Sequence, residues 1–558
     1  MAAPAHADAP GGDSPRPRTP RLLSPLAAIA PGALAGTFVA GLLFFLNPLW
    51  PFEPEPVARV ALHYATILGL ASMALILPWT WRRPSLSGRI LPWSLVAVFS
   101  MAATAFWVHA SRFSLYLPPG INQRLIKAAL WLSIAAVATF YTVLLRTIRR
   151  RRFGPRSRLW LAVLTALTVY AVFERREAFD RPQPLPPRPS SVESAQRPSL
   201  LVVGLSGATL DVILPLAEQG QLPFFAELLR GGAYGRLRSF EPTRSLPLWT
   251  TLATGKYPFR HGVLADRFFP AGFVDPAEVY RLVPIGLGFE HWGLTGGALP
   301  YSAEQSLLSL PLWSILDRLG LRVELIGWPG VEPASPAPDP GDRGATAAPR
   351  LRADELAAEL APDLDALRRA GSSLASDVAG SASPRFAFVY LPALERISVR
   401  TFGGFSAVQF DGRQDPGTAA AARELSRAYA EIDDRLGRTW KALPDPKLLA
   451  VVSPYGVRTP NTLERLGSLS PGTTWLGGRI EGGPDGIFLL SGPGVQVGRF
   501  LSRASAPDVV PTLLYAIGFP AALDFDGRVL TEAFTADSLS RQPLSVIPSY
   551  ETTRALPR

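Results

Sequence analysis

In a chain without cysteine, histidine and carboxylate side chains are the groups that could hold a metal or move protons. The 558-residue sequence has no cysteine, which excludes disulfides and thiolate metal sites. It has five histidines, and none follows His291. His63 and His109 lie near the ends of long apolar runs without acidic neighbours, a pattern of packed or interfacial imidazole more than of a transport path. His291, in FEHWG, sits among aromatics and reads as a surface or packed residue. Asp211, Asp266, Asp485 and Asp508 fall at turns and helix starts, where a carboxylate caps free backbone N–H groups. A zinc site of the Asp/His type in the C-terminal half therefore lacks its imidazoles.

The elements that would position such residues divide the chain in two. Mean hydropathy is positive (+0.17) with only 18% charged residues, so part of the chain is expected in a membrane. Net charge is +11, but residues 1–180 hold 19 basic against 7 acidic side chains and residues 181–558 hold 37 against 38. The excess flanks apolar segments, as membrane topology requires, and forms no basic patch on a folded domain, so nucleic acid is excluded as a partner. Residues 1–20 are Pro, Ala, Gly and charge, and are predicted disordered. Within a membrane region at 21–177, spans are predicted at 26–50, 57–81, 90–110, 128–146 and 159–173, the fifth being short for a crossing. The first run is too long for a signal peptide and has no small-residue cleavage site.

Arg16, Arg18 and Arg21 precede span one, Arg82, Arg83 and Arg89 separate spans two and three, and seven arginines from Arg146 to Arg158 separate spans four and five. The positive-inside rule puts the N-terminus in the cytoplasm. Five spans then place the C-terminal domain outside and four place it inside; the reading taken is five. A Pro- and Ser-rich segment at 178–198 reads as an extended linker.

From residue 199 the pattern changes. LLVVGL (200–205) reads as a buried strand, VELIGW (323–328), FAFVYL (386–391), LLAVVS (448–453) and GIFLLS (486–491) as strands, and 419–440 and 507–518 as helices. Their alternation predicts an α/β domain around a largely parallel sheet with helices on both faces, at 199–535, followed by a tail at 536–558. Such a sheet carries its working residues at the C-terminal ends of its strands. Gly330–Pro349 reads as a surface loop.

The ordered segments LLVVGLSGAT (200–209), GQLPFFAELLRGGAYGRLRSFEPTRSLPLWTTLATGKYPFRHGV (220–263), LPLWSILDRLGLRVELIGWPG (310–330), FAFVYLPALERIS (386–398), VVSPYG (451–456), PDGIFLLSGPGV (484–495) and DVVPTLLYAIGFPAALDFDGRVL (508–530) resemble the type I phosphodiesterase/nucleotide pyrophosphatase family of the alkaline phosphatase-like superfamily. That resemblance implies two divalent metals, usually zinc, held by Asp and His, which activate a Thr or Ser nucleophile. The nucleophile position falls on Ser245. The ligand positions fall on Ser206, where the first strand normally ends in Asp; on Glu395 and Val399, for an Asp and a His four residues on; on Pro454 and Tyr455, where the family has Asp-His; and near Gly482, for a last His. Only Glu395 still offers a carboxylate. His261, beyond the TGK turn, matches a structural His-Gly of the family.

The expectation is a membrane-anchored pseudoenzyme with no metal cofactor, a binding or scaffold protein of the bacterial cell envelope, with its soluble domain outside the cytoplasmic membrane and an unidentified protein or envelope ligand as partner. The alternatives are an active hydrolase or transferase with a rearranged metal site, and a component of a membrane transport or envelope-assembly complex.

Overall fold

Helix α1 (Leu23–Leu46) runs through the centre of an N-terminal bundle and is followed by α2 (Pro54–Arg82), α3 (Ser87–Arg112), α4 (Pro119–Ile148) and α5 (Pro155–Phe173). The computed structural model describes residues 23–48, 50, 52–82, 87–149, 153–174, 197–272, 279–284, 299–300, 307–329, 353–375, 385–413, 415–461 and 476–551. The predicted N-terminal tail, most of the linker, the loop 330–349 and His291 lie outside these residues. All five helices are long and apolar enough to cross a membrane. The fifth is 19 residues long, about 28 Å at 1.5 Å per residue, close to the ~30 Å hydrocarbon thickness.

Close packing of α1 on α2 comes from Gly32 and Gly36, a G-x-x-x-G pair. A Cβ built on Gly36 would fall on the Tyr64 carbonyl, and one on Gly32 on the Leu68 carbonyl. Small residues at such positions let two backbones meet where no hydrophobic drive separates helix from lipid. The apolar face of α2 is left outward, with Leu62, Leu75 and Trp79 exposed.

The soluble part is built on a seven-stranded sheet. Its strands are β1 (Ser199–Leu205), β2 (Ala233–Arg238), β6 (Arg322–Ile326), β7 (Arg385–Leu391), β8 (Lys447–Tyr455), β9 (Asp485–Ser491) and β10 (Arg499–Ser505), in the order β10-β2-β9-β8-β1-β7-β6. Short strands β3 (Arg267–Pro270), β4 (Val279–Tyr280) and β5 (Leu299–Pro300) form a separate ribbon. β1 is parallel to β7 and β8, β6 to β7, and β10 to β2, whereas β9 runs antiparallel to both its neighbours. Central strands are apolar throughout because both faces are covered; β8 is buried from Leu448 to Tyr455. Helices α6 (Leu210–Glu218), α7 (Pro223–Gly231) and α8 (Ser245–Thr254) follow the first strands, and helices Ala353–Ala375, Ala393–Gln409, Pro416–Ala442 and Val509–Ala516 complete the domain.

Residues 536–551, which the sequence reading assigns to a tail, carry the helix Ala536–Arg541 and strand β12 (Val546–Ile547), paired with β11 (Ala521–Ala522). Lys256 explains why this segment stays in place: its buried ammonium reaches Asp524 at 2.7 Å and Glu551 at 2.9 Å. A cation this deep requires such partners, since an unpaired buried charge is costly.

The α1–α2 corner, the α3–α4 corner and the end of α5 all lie at the soluble-domain end of the bundle. Asn47 and Trp50 bond to residues 279–282, Tyr116 bonds to Pro242, and Lys127 near the start of α4 meets Glu174 after α5 at 3.0 Å. The C-terminal ends of α2 and α4, with Arg82, Arg146 and Arg149, are therefore at the other end. Replacing Gly36 with Leu should force α1 from α2 and destabilise the bundle by roughly 1–3 kcal/mol, read as a lower unfolding temperature of the detergent-solubilised chain; an unchanged temperature would contradict the close approach.

Candidate functional site

Strand register brings the sequence-predicted residues together. Leu205 at the end of β1 pairs with Leu391 at the end of β7, and Gly204 pairs with Val452 of β8. The three strands thus finish side by side, delivering Ser206, the start of the helix Ala393–Gln409, and Tyr455 to one point. Gly207 makes the approach possible: its φ is +74°, and a Cβ there would stand 3.1 Å from the Glu395 Cα. Ser245 arrives from the other side as the first residue of α8, whose first turn is fixed by the Asp266 carboxylate accepting the Leu246 N–H at 2.5 Å.

Tyr455 is the centre of what results. Its side chain is fully buried. Its hydroxyl donates to Glu395 Oε2 at 2.9 Å and receives the Trp249 indole N–H at 3.2 Å. Ser245 Oγ is 2.6 Å away and Ser206 Oγ 3.2 Å away. Ser206 also donates to Glu395 Oε2 and accepts from the Tyr390 hydroxyl at 3.3 Å. One proton assignment satisfies the set: Ser245 and Trp249 donate to the phenol oxygen, while the phenol and Ser206 donate to Glu395. Trp249 is held by edge-on packing against Trp328 and Tyr390, with centroids 5.4 and 5.0 Å apart.

The remaining predicted positions stay outside this network. Val399 lies one turn beyond Glu395 and packs against the core, and its carbonyl accepts the Gly478 N–H at 2.7 Å. Pro454 is buried within β8 and has no donor to offer. Gly482 has φ +64° and faces the Arg458 guanidinium.

Electrostatics follow from burial. Desolvation raises the Glu395 pKa above the ordinary carboxylate value, against the opposing hydrogen bonds from Ser206 and Tyr455. Burial, followed by the nearby Glu395 charge, pushes the Tyr455 phenol well above its usual value, so it is a proton donor and not a phenolate base. His261 is fully buried. Its Nε2 is 3.0 Å from Thr251 Oγ and its Nδ1 accepts the Val263 N–H at 3.2 Å, which assigns the Nε2–H tautomer. Burial pulls its pKa down to about 3, and both ring nitrogens are engaged inside the fold, away from Ser245.

The other carboxylates are occupied structurally. Asp485 accepts from Ser239 N at 3.1 Å, Asp508 completes a capping box with Ser505, and Asp211 pairs with Arg236 at 2.6 Å. Among the described residues no group of three or more His, Asp and Glu is placed to hold a metal ion. Two zinc ions do not fit this donor set. Its single carboxylate is hydrogen-bonded to two hydroxyls, and a buried phenol fills the space between the ligand positions and the nucleophile position. Among the described residues, Ser245 Oγ is hydrogen-bonded to the Tyr455 hydroxyl, and the ring nitrogens of His261 are bonded elsewhere.

Trp249 and Tyr390 are members of the network that the sequence reading did not name. Trp249 follows Ser245 by four residues on one helix, the spacing that places two side chains on the same face. Tyr390 is the one polar-tipped residue in the run Phe386–Leu391 of β7.

Fold and site together define an α/β domain of the alkaline phosphatase-like kind, joined to five apolar helices, in which a hydrogen-bonded phenol lies where three strands end. Residues 200–471 match the family model for type I phosphodiesterase / nucleotide pyrophosphatase, and the soluble domain belongs to that family. No curated protein matches the chain. Among solved structures, it is similar to murine ectonucleotide pyrophosphatase / phosphodiesterase 5, an inactive variant in complex with AMP, at 14% identity over 61% of this chain and 100% of that one, with a TM-score of 0.39. The human protein of the same name is 13% identical over 62% and 99%, with a TM-score of 0.37. A 2-O GAG sulfatase is 12% identical over 61% and 74%, also with a TM-score of 0.37.

Two measurements check the network. Tyr455→Phe should cost about 1–3 kcal/mol, because it strips a partner from several buried polar groups; an unchanged unfolding free energy would contradict it. For Glu395, a folded-state pKa above the unfolded value means the contribution to stability is greatest at low pH and is lost as pH rises through the raised value. The stability of wild type relative to Glu395→Gln should therefore fall from pH 4.5 to pH 8; a flat or rising difference would contradict the raised pKa.

Proposed function

We propose that this chain is a membrane-anchored pseudoenzyme of the type I phosphodiesterase/nucleotide pyrophosphatase family, a non-catalytic binding or scaffold protein of the bacterial cell envelope. One observation carries the reading. The Tyr455 hydroxyl lies within hydrogen-bond reach of Ser206, Ser245 and Glu395, where the family's chemistry requires a cation between ligands and nucleophile. The fold is kept and well packed around this point, while the groups that would activate a nucleophile are replaced by groups that satisfy one another.

The soluble domain belongs, on this reading, on the outer face of the cytoplasmic membrane. Support comes from the arrangement of the bundle. Arg82, Arg146 and Arg149 lie toward the end remote from the soluble domain, and the acidic α1–α2 connection lies at the near end, the distribution expected when the far end is cytoplasmic. The partner is the lipid bilayer together with a protein or envelope ligand recognised by the domain surface.

The test uses the purified full chain in detergent, supplied in turn with zinc, manganese and magnesium. The expected result is no stoichiometric bound metal and no turnover of bis-p-nitrophenyl phosphate or p-nitrophenyl phosphate. Metal-dependent turnover that disappears in Ser245→Ala would overturn the proposal and establish a rearranged hydrolase or transferase site.

A further inference from the structure

Two corners of the helical bundle are built into the soluble domain. At the α1–α2 corner, buried Asn47 donates to the Leu282 carbonyl at 2.8 Å and accepts the Arg281 and Leu282 N–H groups at 2.7 and 3.2 Å. Trp50 donates to the Val279 carbonyl at 2.9 Å, and its ring lies 4.8 Å from that of Tyr280. Asn47 thus reads the backbone of the β3–β4 ribbon much as a neighbouring strand would.

The α3–α4 corner lands beside the candidate site. Tyr116 is fully buried, its hydroxyl donates to the Pro242 carbonyl at 2.6 Å, and its ring meets Phe240 edge-on at 5.6 Å. Arg112 at the end of α3 lies 3.3 Å from Glu241 and 3.9 Å from Glu481. Pro242 is three residues before Ser245, and Glu481 is next to Gly482. The corner therefore grips the two chain segments that lead to the nucleophile position and to the last ligand position. Beyond Pro242 the path is short: Asp266 fixes the first turn of α8, and Ser245 stands 2.6 Å from Tyr455.

We propose that the α3–α4 corner is a coupling contact. Seated on residues 240–242, it holds the start of α8 so that Ser245 closes the Tyr455 network; displaced, it releases Ser245. The bundle then acts on the soluble domain as a partner surface as well as an anchor, and a change in the packing of α3 against α4 is transmitted to the cleft. Tyr116 is the anchor of this contact. The Arg112 pairs are part-exposed, and exposed ion pairs contribute little. The inference does not rest on the site being catalytically silent, since it concerns only what holds Ser245.

The absence of cysteine makes a direct test possible, because a single introduced thiol is the only one in the chain. The full chain carrying Ser245→Cys is reacted in nanodiscs with a water-soluble methanethiosulfonate, and Ala428→Cys, buried elsewhere in the core, serves as the control. Adding Tyr116→Ala should speed labelling at 245 by about tenfold or more through local opening and leave the rate at 428 unchanged. Tyr116→Phe keeps the ring on Phe240 and loses only the bond to Pro242, so it should give a smaller rise at 245. An unchanged rate at 245 would overturn the proposal. So would an equal rise at both positions, which is loosening of the whole domain. Should Tyr116→Ala not assemble, Tyr116→Phe decides: a rise confined to 245 supports the coupling, and none removes it.

Discussion

The arrangement at the cleft depends on one buried hydroxyl being shared. Tyr455 reaches the end of β8 with its ring enclosed and its oxygen in contact with four groups from three other places in the chain: Ser206 after β1, Ser245 and Trp249 on α8, and Glu395 on the helix after β7. A phenol in such a place is tolerable only when its proton and lone pairs are used, because an unsatisfied buried polar group costs about as much as the bond it lacks. Each neighbour is subject to the same demand. Glu395 in particular is desolvated and can remain only because two hydroxyls point at it. The network is therefore a mutual constraint among side chains delivered by three strand ends and the start of α8.

The same economy governs the contact between bundle and domain. The polar groups at the corners, Asn47, Trp50 and Tyr116, find their partners on the backbone of the soluble part, and the aromatic rings around them supply the buried area. Residues 271, 280 and 283 share a small apolar cluster with Leu43, Phe44 and Trp50, so the β3–β4 ribbon is part of this attachment. Contacts of this kind fix the domain on the bundle.

Much of the fold was legible because central strands and crossing helices are apolar for reasons that act locally. β1, β7, β8 and β9 read as short buried runs, and the five helices as long ones. β2 (AYGRLR) and β10 (RFLSRAS) were not legible: they alternate with charged or polar residues, and β10 keeps four of its seven residues exposed. Helix Ala393–Gln409 was hidden by a sequence rich in Gly, Ser and Thr, which has weak helical propensity and is stabilised by packing. At the site, ordered motifs named Ser206, Ser245, Glu395 and Tyr455, which the structure brings within hydrogen-bond reach of one another. The way they meet was not legible. Whether a tyrosine at a ligand position turns outward or fills the gap depends on the register of three strands and on Trp249, and no local pattern encodes that. Val399, Pro454 and Gly482, named from the same motifs, lie outside the network and take part in packing and backbone geometry.

An experimental structure of the full chain from crystals soaked in zinc, with anomalous scattering recorded at the zinc edge, tests this account most directly. The Tyr455 hydroxyl is expected between Ser206, Ser245 and Glu395, with no anomalous peak within bonding distance of those side chains. A zinc peak beside Glu395 and Ser245, with the phenol swung away, would contradict it.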